Sequence, residues 1–531
     1  MGGGQRALVL GSALVGVAVV VIVISVAVWS GATLQTDSTA LAQVNLQPLA
    51  GHLEQASASG RDGKAIPISV RGGRLTPLAQ VAPGETISVD IVIARPGLLS
   101  WALGKTRREH LTFTAPVAHI TNPWVTIPAG SPVTVKFDKP VTAAAYGSAG
   151  QVVRKPLGTG QQSFSIGQRA PAGSIQVSAA VRPWEKLSKP TTVTWFPQSS
   201  SAVMVASPAP GSRLLPASRI RLTFSSTVTD ALGASRPTLS PATSGSWHKL
   251  DSHTLEFSPS GFGVPLGSQV HVGLPRSVSV TGPAGTSLQS TNQISFAVPV
   301  GSTARLQQLL AEQGYLPLSW NPAGTPVAHT PRAQAAAAVD PPQGSFTWRY
   351  PNTPGELQAV WKPSQDNVIT RGAVMTFENE NGIAVDGVAG AGVWKMLLGN
   401  ALAGKHHNGP YSYVYVHRNV PQLMTLWSAG HTVITSPGNT GVPAAPTQLG
   451  TFPVFEHLAS ATMAGTNPDG STYNDPGIKW ISYFNGGDAL HAFPRASFGT
   501  PQSLGCVELP EAAAAKIWPY TPIGTLVTVE N

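Results

Sequence analysis

The sequence contains very little cysteine and very little charge. Cys506 is the single cysteine among 531 residues, so no disulfide can form within the chain. Charged residues make up 11% of the chain, against about a quarter in a typical globular protein. The 34 Lys and Arg side chains are spread thinly, without a basic block. These absences exclude coiled coils and long charged helices, and they predict no nucleic-acid partner.

Glycine, proline and apolar residues are plentiful instead. Glycine (55) and proline (47) together form about a fifth of the chain, well above ordinary usage. Hydrophobic residues, at 42%, suffice for several cores, and a chain of 531 residues predicts about three to five domains. The formal net charge of +9 predicts a mild attraction to anionic surfaces.

The N-terminus contains a candidate membrane anchor. Residues 7–28 are 22 consecutive uncharged positions, mostly Val, Ile, Leu and Ala. As a helix they would be about 33 Å long, enough to cross a hydrocarbon core of roughly 30 Å. Arg6 before this run and Trp29 after it favour a single-pass protein of the cell membrane, with its bulk in the extracytoplasmic cell wall space. A cleaved signal peptide is the alternative, although its apolar region normally spans about 7 to 15 residues.

Residues 35–300 show alternating apolar and polar positions between Pro/Gly/Ser turns, which is typical of β-sandwich modules. A weak internal repeat relates residues 128–141 to residues 210–228, each with a turn followed by an alternating strand. The pattern resembles bacterial immunoglobulin-like envelope domains. A spacer role is the simple interpretation of these modules, and binding of peptide or sugar is the alternative.

A helical period begins near residue 302. Leu306, Leu309 and Leu310 have the i, i+3, i+4 spacing of a helix. Residues 321–343, rich in Pro and Ala, favour an extended loop. Residues 370–394 then favour a helix, a glycine-containing turn and a second helix that closes on Trp394.

This segment resembles the peptidoglycan-binding helical domain, through a helix that ends in glycine, an Asp-Gly-Val-Ala-Gly turn at residues 386–390, and a tryptophan. The resemblance implies binding to the peptidoglycan glycan. The alternative is that Leu306, Leu310, Phe377 and Trp394 merely build a small core, which is compatible with a binding surface.

Strand patterns return from about residue 406, interrupted by one helix around residues 510–518. Cys506 lies here in a Ser503-Leu-Gly-Cys506 turn, 15 residues after His491. A cysteine nucleophile acts as its thiolate, so it needs a neighbouring base such as an imidazole. A glycine before it allows close approach of the backbone to a substrate. The pattern therefore favours a catalytic thiol over an inert apolar cysteine.

Three stretches, residues 446–454, 487–493 and 503–507, resemble the L,D-transpeptidase catalytic domain, and the likeness covers about residues 410–531. By this resemblance Cys506 is the nucleophile, and His491 is the base and later the acid. The backbone carbonyl of Ala492 would orient the imidazole. Backbone amides near Gly505 and Cys506 would form an oxyanion hole, and Ser503 would support the loop.

Two positions depart from the family pattern. Leu504 stands where many members have a second histidine, and Glu508 stands where many have Arg or Asn. Glu508 puts recognition of the substrate carboxylate in question, and Arg495 could supply the missing positive charge. Tyr483 and Phe493 are the other expected substrate-binding residues.

The resemblance implies acyl transfer between peptidoglycan stem peptides. Cys506 would attack the carbonyl between the third residue and a D-alanine, and an amine of another stem would resolve the thioester into a 3→3 cross-link. Resolution by water, as in an L,D-carboxypeptidase, and a non-catalytic wall-binding protein are the alternatives. The family also implies acylation of the thiol by carbapenem β-lactams.

No cofactor is expected. The sequence has no H-E-x-x-H motif and no Cys/His cluster, so its histidines do not predict a zinc site, and His406 and His407 are interpreted as part of an interdomain linker. The fold prediction is a multidomain, mainly β protein with a transmembrane helix, immunoglobulin-like modules, a helical peptidoglycan-binding domain and a β-rich catalytic domain. The predicted boundaries are 1–34, 35–120, 121–200, 201–300, 301–405 and 406–531.

Overall fold

The computed structural model describes residue 25 and residues 28–128, 130–148, 151–167, 170–280 and 292–531. Strands account for 44% and helices for 15%, which confirms the mainly β class. The predicted membrane anchor at residues 7–28 lies almost entirely outside the described residues. Among the described helices, none is long and apolar enough to cross a membrane.

The chain divides into two compact units. The first comprises Met1–Val205, Thr223–Thr227 and Ser277–Gln289, and the second comprises Ala206–Leu222, Val228–Arg276 and Ser290–Asn531. The six domain ranges expected from the sequence stay a prediction.

The first unit begins with two sheets, one with strand order β1-β2-β5-β4 and one with order β3-β6-β7. Strand β6 shows why they form: Ile87, Val89, Ile91 and Ile93 are fully buried, and the residues between them are exposed or half-buried. The elements are β1 (Ala32–Thr36), β2 (Ala42–Leu46), β3 (His52–Gly60), β4 (Ile68–Arg71), β5 (Arg74–Pro77), β6 (Thr86–Ala94), α1 (Gly97–Leu103) and β7 (Thr106–Thr114).

A five-stranded sheet follows, with order β10-β9-β11-β12-β8. Its central feature is a long hairpin of two 16-residue strands, and its core includes Val133, Val135 and Phe164. The strands are β8 (Trp124–Ile127), β9 (Val133–Ser148), β10 (Gln151–Ile166), β11 (Gly173–Ala180) and β12 (Thr191–Pro197).

Residues 202–297 contain further β structure. In the first unit β13 pairs in parallel with β19; in the second, β16 pairs with β17, and β15-β18-β20 forms a three-stranded sheet. The elements are β13 (Ala202–Ser207), β14 (Ile220–Phe224), α2 (Val228–Leu232), β15 (Thr238–Ser240), β16 (Gly245–Lys249), β17 (Thr254–Pro259), β18 (Gln269–Gly273), β19 (Val278–Val280) and β20 (Gln293–Ala297).

The helical segment of the second unit surrounds a small hairpin. The expected leucine helix is present, with Leu309 and Leu310 fully buried. A later helix begins at Val368, where the Asn367 side chain accepts a capping hydrogen bond from the Thr370 N–H at 3.0 Å. The elements are α3 (Thr303–Glu312), β21 (Leu318–Pro322), α4 (Pro331–Val339), β22 (Gly344–Trp348), α5 (Gly355–Ala359), α6 (Val368–Glu380) and α7 (Ala391–Ala403).

Two expectations for this segment were wrong. Residues 321–343 are not an extended loop throughout, because α4 lies within them. Thr330 caps α4, Pro331 occupies its first turn, and an alanine run propagates it. The second helix does not close on Trp394. It begins at Ala391, because the preceding turn, with Gly387 at a φ of 70°, is held by backbone N–H groups that donate to the Glu378 carboxylate.

The C-terminal segment is built from two sheets, with orders β25-β24-β23-β31-β26 and β27-β28-β29-β30. A core that includes Val414, Leu426, Leu490, Val507 and Val527 joins them. The elements are β23 (Ser412–His417), β24 (Leu423–Ser428), β25 (His431–Pro437), β26 (Gly450–Pro453), β27 (Glu456–Thr466), β28 (Thr472–Asn485), β29 (Asp488–Ala492), β30 (Val507–Leu509), α8 (Glu511–Ile517), a 3-10 helix (Trp518–Tyr520) and β31 (Leu526–Glu530).

The helical segment and the C-terminal sheet share one apolar core. It contains Leu309 and Phe377 from the helices, together with Tyr413, Trp427 and Leu526 from the strands. Two polar contacts accompany it: Thr376 Oγ1 donates to the Ile523 carbonyl at 3.2 Å, and His407 Nδ1 lies 2.8 Å from Glu380 Oε1. The segment around His406 and His407, expected as an interdomain linker, thus makes a specific contact with α6.

Candidate active site

Cys506 lies immediately before β30, beside the strand that carries His491. Strands β29 and β30 pair in parallel, with Leu490 opposite Val507 and His491 opposite Glu508. Cys506 therefore lies level with Ala489, two residues before His491 on the same face of β29. Two strand residues span roughly 6.6 Å, which brings the sulfur and the imidazole into one neighbourhood.

The sulfur lies in an apolar recess. Cys506 packs against a small cluster formed by buried Ile478, Ile481 and Ala489, with Met463 and Tyr483 at its edge. Its thiol donates to the Gly487 carbonyl oxygen at 3.5 Å. Burial raises the pKa of the Cys506 thiol to about 12; the Ala489 N–H opposes the shift, and nearby carboxylates add to it. The resting sulfur is therefore protonated.

His491 is a neutral base with a defined tautomer. Its ring is 3% exposed, and burial lowers its pKa below the usual range. Nδ1 lies 3.0 Å from the Ala492 carbonyl oxygen. A carbonyl oxygen can only accept, so Nδ1 carries the hydrogen and Nε2 keeps its lone pair. This is the contact expected for Ala492, and it leaves Nε2 able to take a proton.

Ser503 and Gly505 shape the turn before the cysteine. The buried Ser503 hydroxyl donates to the Cys506 carbonyl oxygen at 2.5 Å and accepts from the Gly505 N–H at 3.3 Å. Gly505 has a φ of 120°, and a β-carbon there would collide with the Asp488 carboxylate, so only glycine fits. Because the Gly505 amide already has a partner, its share in an oxyanion hole stays a prediction.

Arg495 and Glu508 form a tight pair at the edge of the site. Arg495 Nε and Nη2 donate to the two Glu508 carboxylate oxygens at 2.8 and 2.7 Å. The Glu508 side chain is only 6% exposed, and this pairing raises the pKa of Arg495. The guanidinium expected to bind a substrate carboxylate is thus committed to Glu508.

The other two expected substrate-binding residues, Tyr483 and Phe493, pack against the same apolar cluster as Cys506. Tyr483 borders the Cys506 recess and stacks on Phe455 with ring centroids 6.3 Å apart. Phe493 packs in the same cluster and also lines a cavity of about 570 Å³ together with Arg495, Lys479 and Glu511. Their roles in substrate binding stay a prediction.

Three groups of the site were not anticipated from the sequence. They are the Gly487 carbonyl, which accepts from the Cys506 thiol, the Asp488 carboxylate, which abuts Gly505, and Met463 on the β27–β28 hairpin, which packs against the same apolar cluster as Cys506. Burial raises the pKa of Asp488. The hairpin had a readable signal in the Asn467-Pro-Asp-Gly turn between two alternating runs. The other two contacts depend on the tertiary fold. Among the described residues, no cluster of three or more potential metal ligands occurs.

Comparisons with known proteins identify a family for the C-terminal segment. Residues 411–529 match the family of the L,D-transpeptidase catalytic domain, YkuD. The sequence has no match among curated proteins.

Several solved structures are similar to this chain. One is LD transpeptidase LdtMt1 in complex with imipenem, at 14% identity and a TM-score of 0.21, covering 61% of this chain and 97% of that one. Another is L,D-transpeptidase 3 from Mycobacterium tuberculosis in complex with a faropenem-derived adduct. It is 14% identical, with a TM-score of 0.22, and the match covers 62% of this chain and 98% of that one. A third is the catalytic domain of the E. faecium L,D-transpeptidase. It is 24% identical, with a TM-score of 0.21, and the match covers 23% of this chain and 100% of that one.

The assignment depends on the family match, since TM-scores this low carry no argument. The match confirms the resemblance found in the sequence: residues 411–529 form an L,D-transpeptidase catalytic domain.

Proposed function

We propose that this protein is an L,D-transpeptidase that cross-links peptidoglycan stem peptides through a thioester on Cys506. One observation carries the proposal: the family match covers the domain in which Cys506, immediately before β30, lies beside the parallel strand that carries His491. The buried, neutral His491 and the glycine turn before Cys506 support it.

In the first half-reaction, His491 Nε2 takes the Sγ proton as the sulfur attacks the carbonyl carbon of the third stem residue. The resulting oxyanion collapses, the bond to the D-alanine nitrogen breaks, and the imidazolium gives its proton to that nitrogen. Free D-alanine leaves, and the acyl group remains on Cys506 as a thioester. The raised thiol pKa means that the thiolate forms during attack and does not persist at rest.

In the second half-reaction, the side-chain amine of another stem attacks the thioester carbonyl. His491 Nε2 removes the proton of the attacking nitrogen and returns it to the departing sulfur. The products are a new amide, which is a 3→3 cross-link, and the free thiol. Water in place of the amine would give a shortened stem, the outcome of an L,D-carboxypeptidase.

Acylation of Cys506 by carbapenems is part of the same proposal. A strained β-lactam carbonyl offers the sulfur an electrophile like the stem amide, and ring opening would leave a thioester. The chain resembles an L,D-transpeptidase described in complex with imipenem and another with a faropenem-derived adduct.

The location proposed for the enzyme is the extracytoplasmic face of the cell membrane. The uncharged run at residues 7–28 supports an N-terminal anchor. The β-rich residues that follow would act as a spacer, and the helical segment would hold the glycan.

The test is incubation of the purified protein with tetrapeptide-bearing muropeptides, with mass spectrometry of the products. Cross-linked dimers with release of D-alanine are expected. If tripeptides are the only products, the enzyme hydrolyses the thioester and is an L,D-carboxypeptidase. No turnover combined with retention on isolated cell walls would refute the enzymatic proposal and favour a wall-binding protein.

A further inference from the structure

The ion pair of Arg495 and Glu508 lies beside the imidazole of His491. The register of β29 and β30 sets His491 directly opposite Glu508. Residues directly opposite each other in paired strands project from the same face of the sheet. His491 and Glu508 are 3% and 4% exposed, so bulk water screens little of the field between them.

Arg495 supplies the opposite charge from the same side. His491, Phe493 and Arg495 are alternate residues, and the Phe493 ring contacts both of the others. It meets the His491 ring edge-on, with centroids 6.0 Å apart, and the Arg495 guanidinium lies 4.7 Å from its centroid. The imidazole thus faces a carboxylate on the next strand and a guanidinium across one aromatic ring.

The pair is fixed in place by more than its own charges. Arg495 Nη2 also donates to the Gln502 carbonyl at 3.1 Å. The Glu508 backbone exchanges two hydrogen bonds of 2.9 Å with the fully buried Asn439. The backbone bonds keep Glu508 in register with His491, and rotation of the Arg495 guanidinium would break its bonds to Glu508 and Gln502.

Other ionisable groups also face His491. Asp475 and Tyr483 are on β28, and Cys506 precedes β30. Burial lowers the pKa of His491 most, Glu508 and Asp475 raise it, and Arg495 lowers it. The strand partner and its arginine therefore act on the imidazole with opposite signs.

We propose that Glu508 and Arg495 form a charge couple that sets the proton affinity of His491 during acyl transfer. Glu508 stabilises the imidazolium that exists once the Cys506 proton has moved to Nε2. Arg495 limits that stabilisation, so the proton can pass on to the leaving nitrogen. A general base works best when its proton affinity is balanced between these two tasks. Both are positioning residues that act through His491, and the inference rests on the proposed function.

The experiment measures the rate of Cys506 acylation by a carbapenem against pH, by intact-protein mass spectrometry on the full chain. Acylation needs neutral His491, so the rate rises through the pKa of that histidine. E508Q should shift this rise to lower pH, and R495M should shift it to higher pH, each by about one unit. The E508Q/R495M double variant should return close to the original profile. E530Q is the matched control, a charge removal in the same domain beside His417, and should shift nothing.

A second readout does not depend on activity. The ring signals of His491 in ¹⁵N-histidine-labelled protein, assigned with an H491A variant, report its pKa directly by NMR. Opposite shifts in the two single variants support the charge couple. The proposal is overturned if the His491 pKa is unchanged in E508Q and R495M, or if it shifts in the same direction in both. A general loosening of the structure would shift the pKa in the same direction in the two variants. Failure of the unsubstituted protein to acylate refutes the proposed function instead, and the NMR titration still decides the charge couple.

Discussion

The hydroxyl of Ser503 closes the turn that presents Cys506. It donates to the Cys506 carbonyl oxygen at 2.5 Å while it accepts from the Gly505 N–H at 3.3 Å. The backbone on both sides of the nucleophile is therefore fixed by one side chain. A small displacement of a reacting group can cost a large part of the rate, so this hydroxyl should matter to catalysis.

Removal of the Ser503 hydroxyl, in S503A, should slow Cys506 acylation by about tenfold or more. The unfolding free energy should fall by about 1–2 kcal/mol, since two hydrogen bonds are lost. S412A is the control, because the Ser412 hydroxyl bonds to Ser428 on a different sheet. Mass spectrometry and thermal denaturation measure the two effects. An unchanged acylation rate in S503A would contradict this role.

Substitution of the two principal catalytic candidates should separate their functions. Cys506→Ala should abolish the covalent carbapenem adduct. His491→Gln should slow adduct formation by about 10²–10⁴-fold, the usual contribution of a general base. Time-resolved intact-protein mass spectrometry measures both. An adduct that persists in the Cys506→Ala protein would exclude the nucleophile assignment.

The protonated state of the thiol predicts a distinctive pH dependence. Because burial raises the pKa of Cys506 to about 12, the thiolate is scarce near neutrality and its fraction grows about tenfold per pH unit. Alkylation by iodoacetamide should therefore be slow at pH 7 and still rising at pH 9. A rate plateau between pH 6 and 8 would indicate a resting thiolate–imidazolium pair, contrary to this structure.

Glu378 should make the second unit more stable in mild acid. Burial raises the pKa of this carboxyl to about 7, above its ordinary value of 4.5. Between these two values the folded state binds more protons than the unfolded state, so stability falls as pH rises from about 4.5 to 7. E378Q should remove this dependence, worth roughly 1–3 kcal/mol. Calorimetric melting of both proteins at pH 5 and pH 8 measures it. An equal pH dependence in the two proteins would assign the effect elsewhere.

The shared core predicts joint unfolding of the helical and catalytic segments. Phe377 is fully buried, and its ring contacts Tyr315 with centroids 5.4 Å apart. F377A should cost about 3–5 kcal/mol and lower the melting temperature of both segments together. V388A, at a 63% exposed position, is the control and should change little. Limited proteolysis across the melting transition distinguishes joint from independent unfolding. Survival of residues 411–529 after the helices are cleaved would show independent domains.

The sequence was informative where the signal is local. Alternating runs predicted the strands of the C-terminal segment, and the Ser503–Cys506 turn with His491 upstream led to the family. Leucine spacing predicted α3. These features depend on neighbours within a few residues, so periodicity and turn chemistry reveal them.

The parts that could not be predicted depend on distant contacts or on competing signals. The commitment of Arg495 to Glu508 joins residues 13 apart through the pairing of β29 with β30. The collision that requires glycine at 505 comes from Asp488, on another strand. For α4, the proline and alanine content of residues 321–343 suggested a loop, although Thr330 and Pro331 form a helix start.

The core common to α3, α6 and β31 also limits how this architecture can be rearranged. A cut between the helices and the catalytic strands would expose Tyr413, Trp427 and Leu526 to water, which would cost each piece stability. Gene fusions or truncations that preserve the enzyme should therefore carry residues 303–531 as a block. The helical segment and Cys506 would then be inherited together, at a separation fixed by packing and not by a tether.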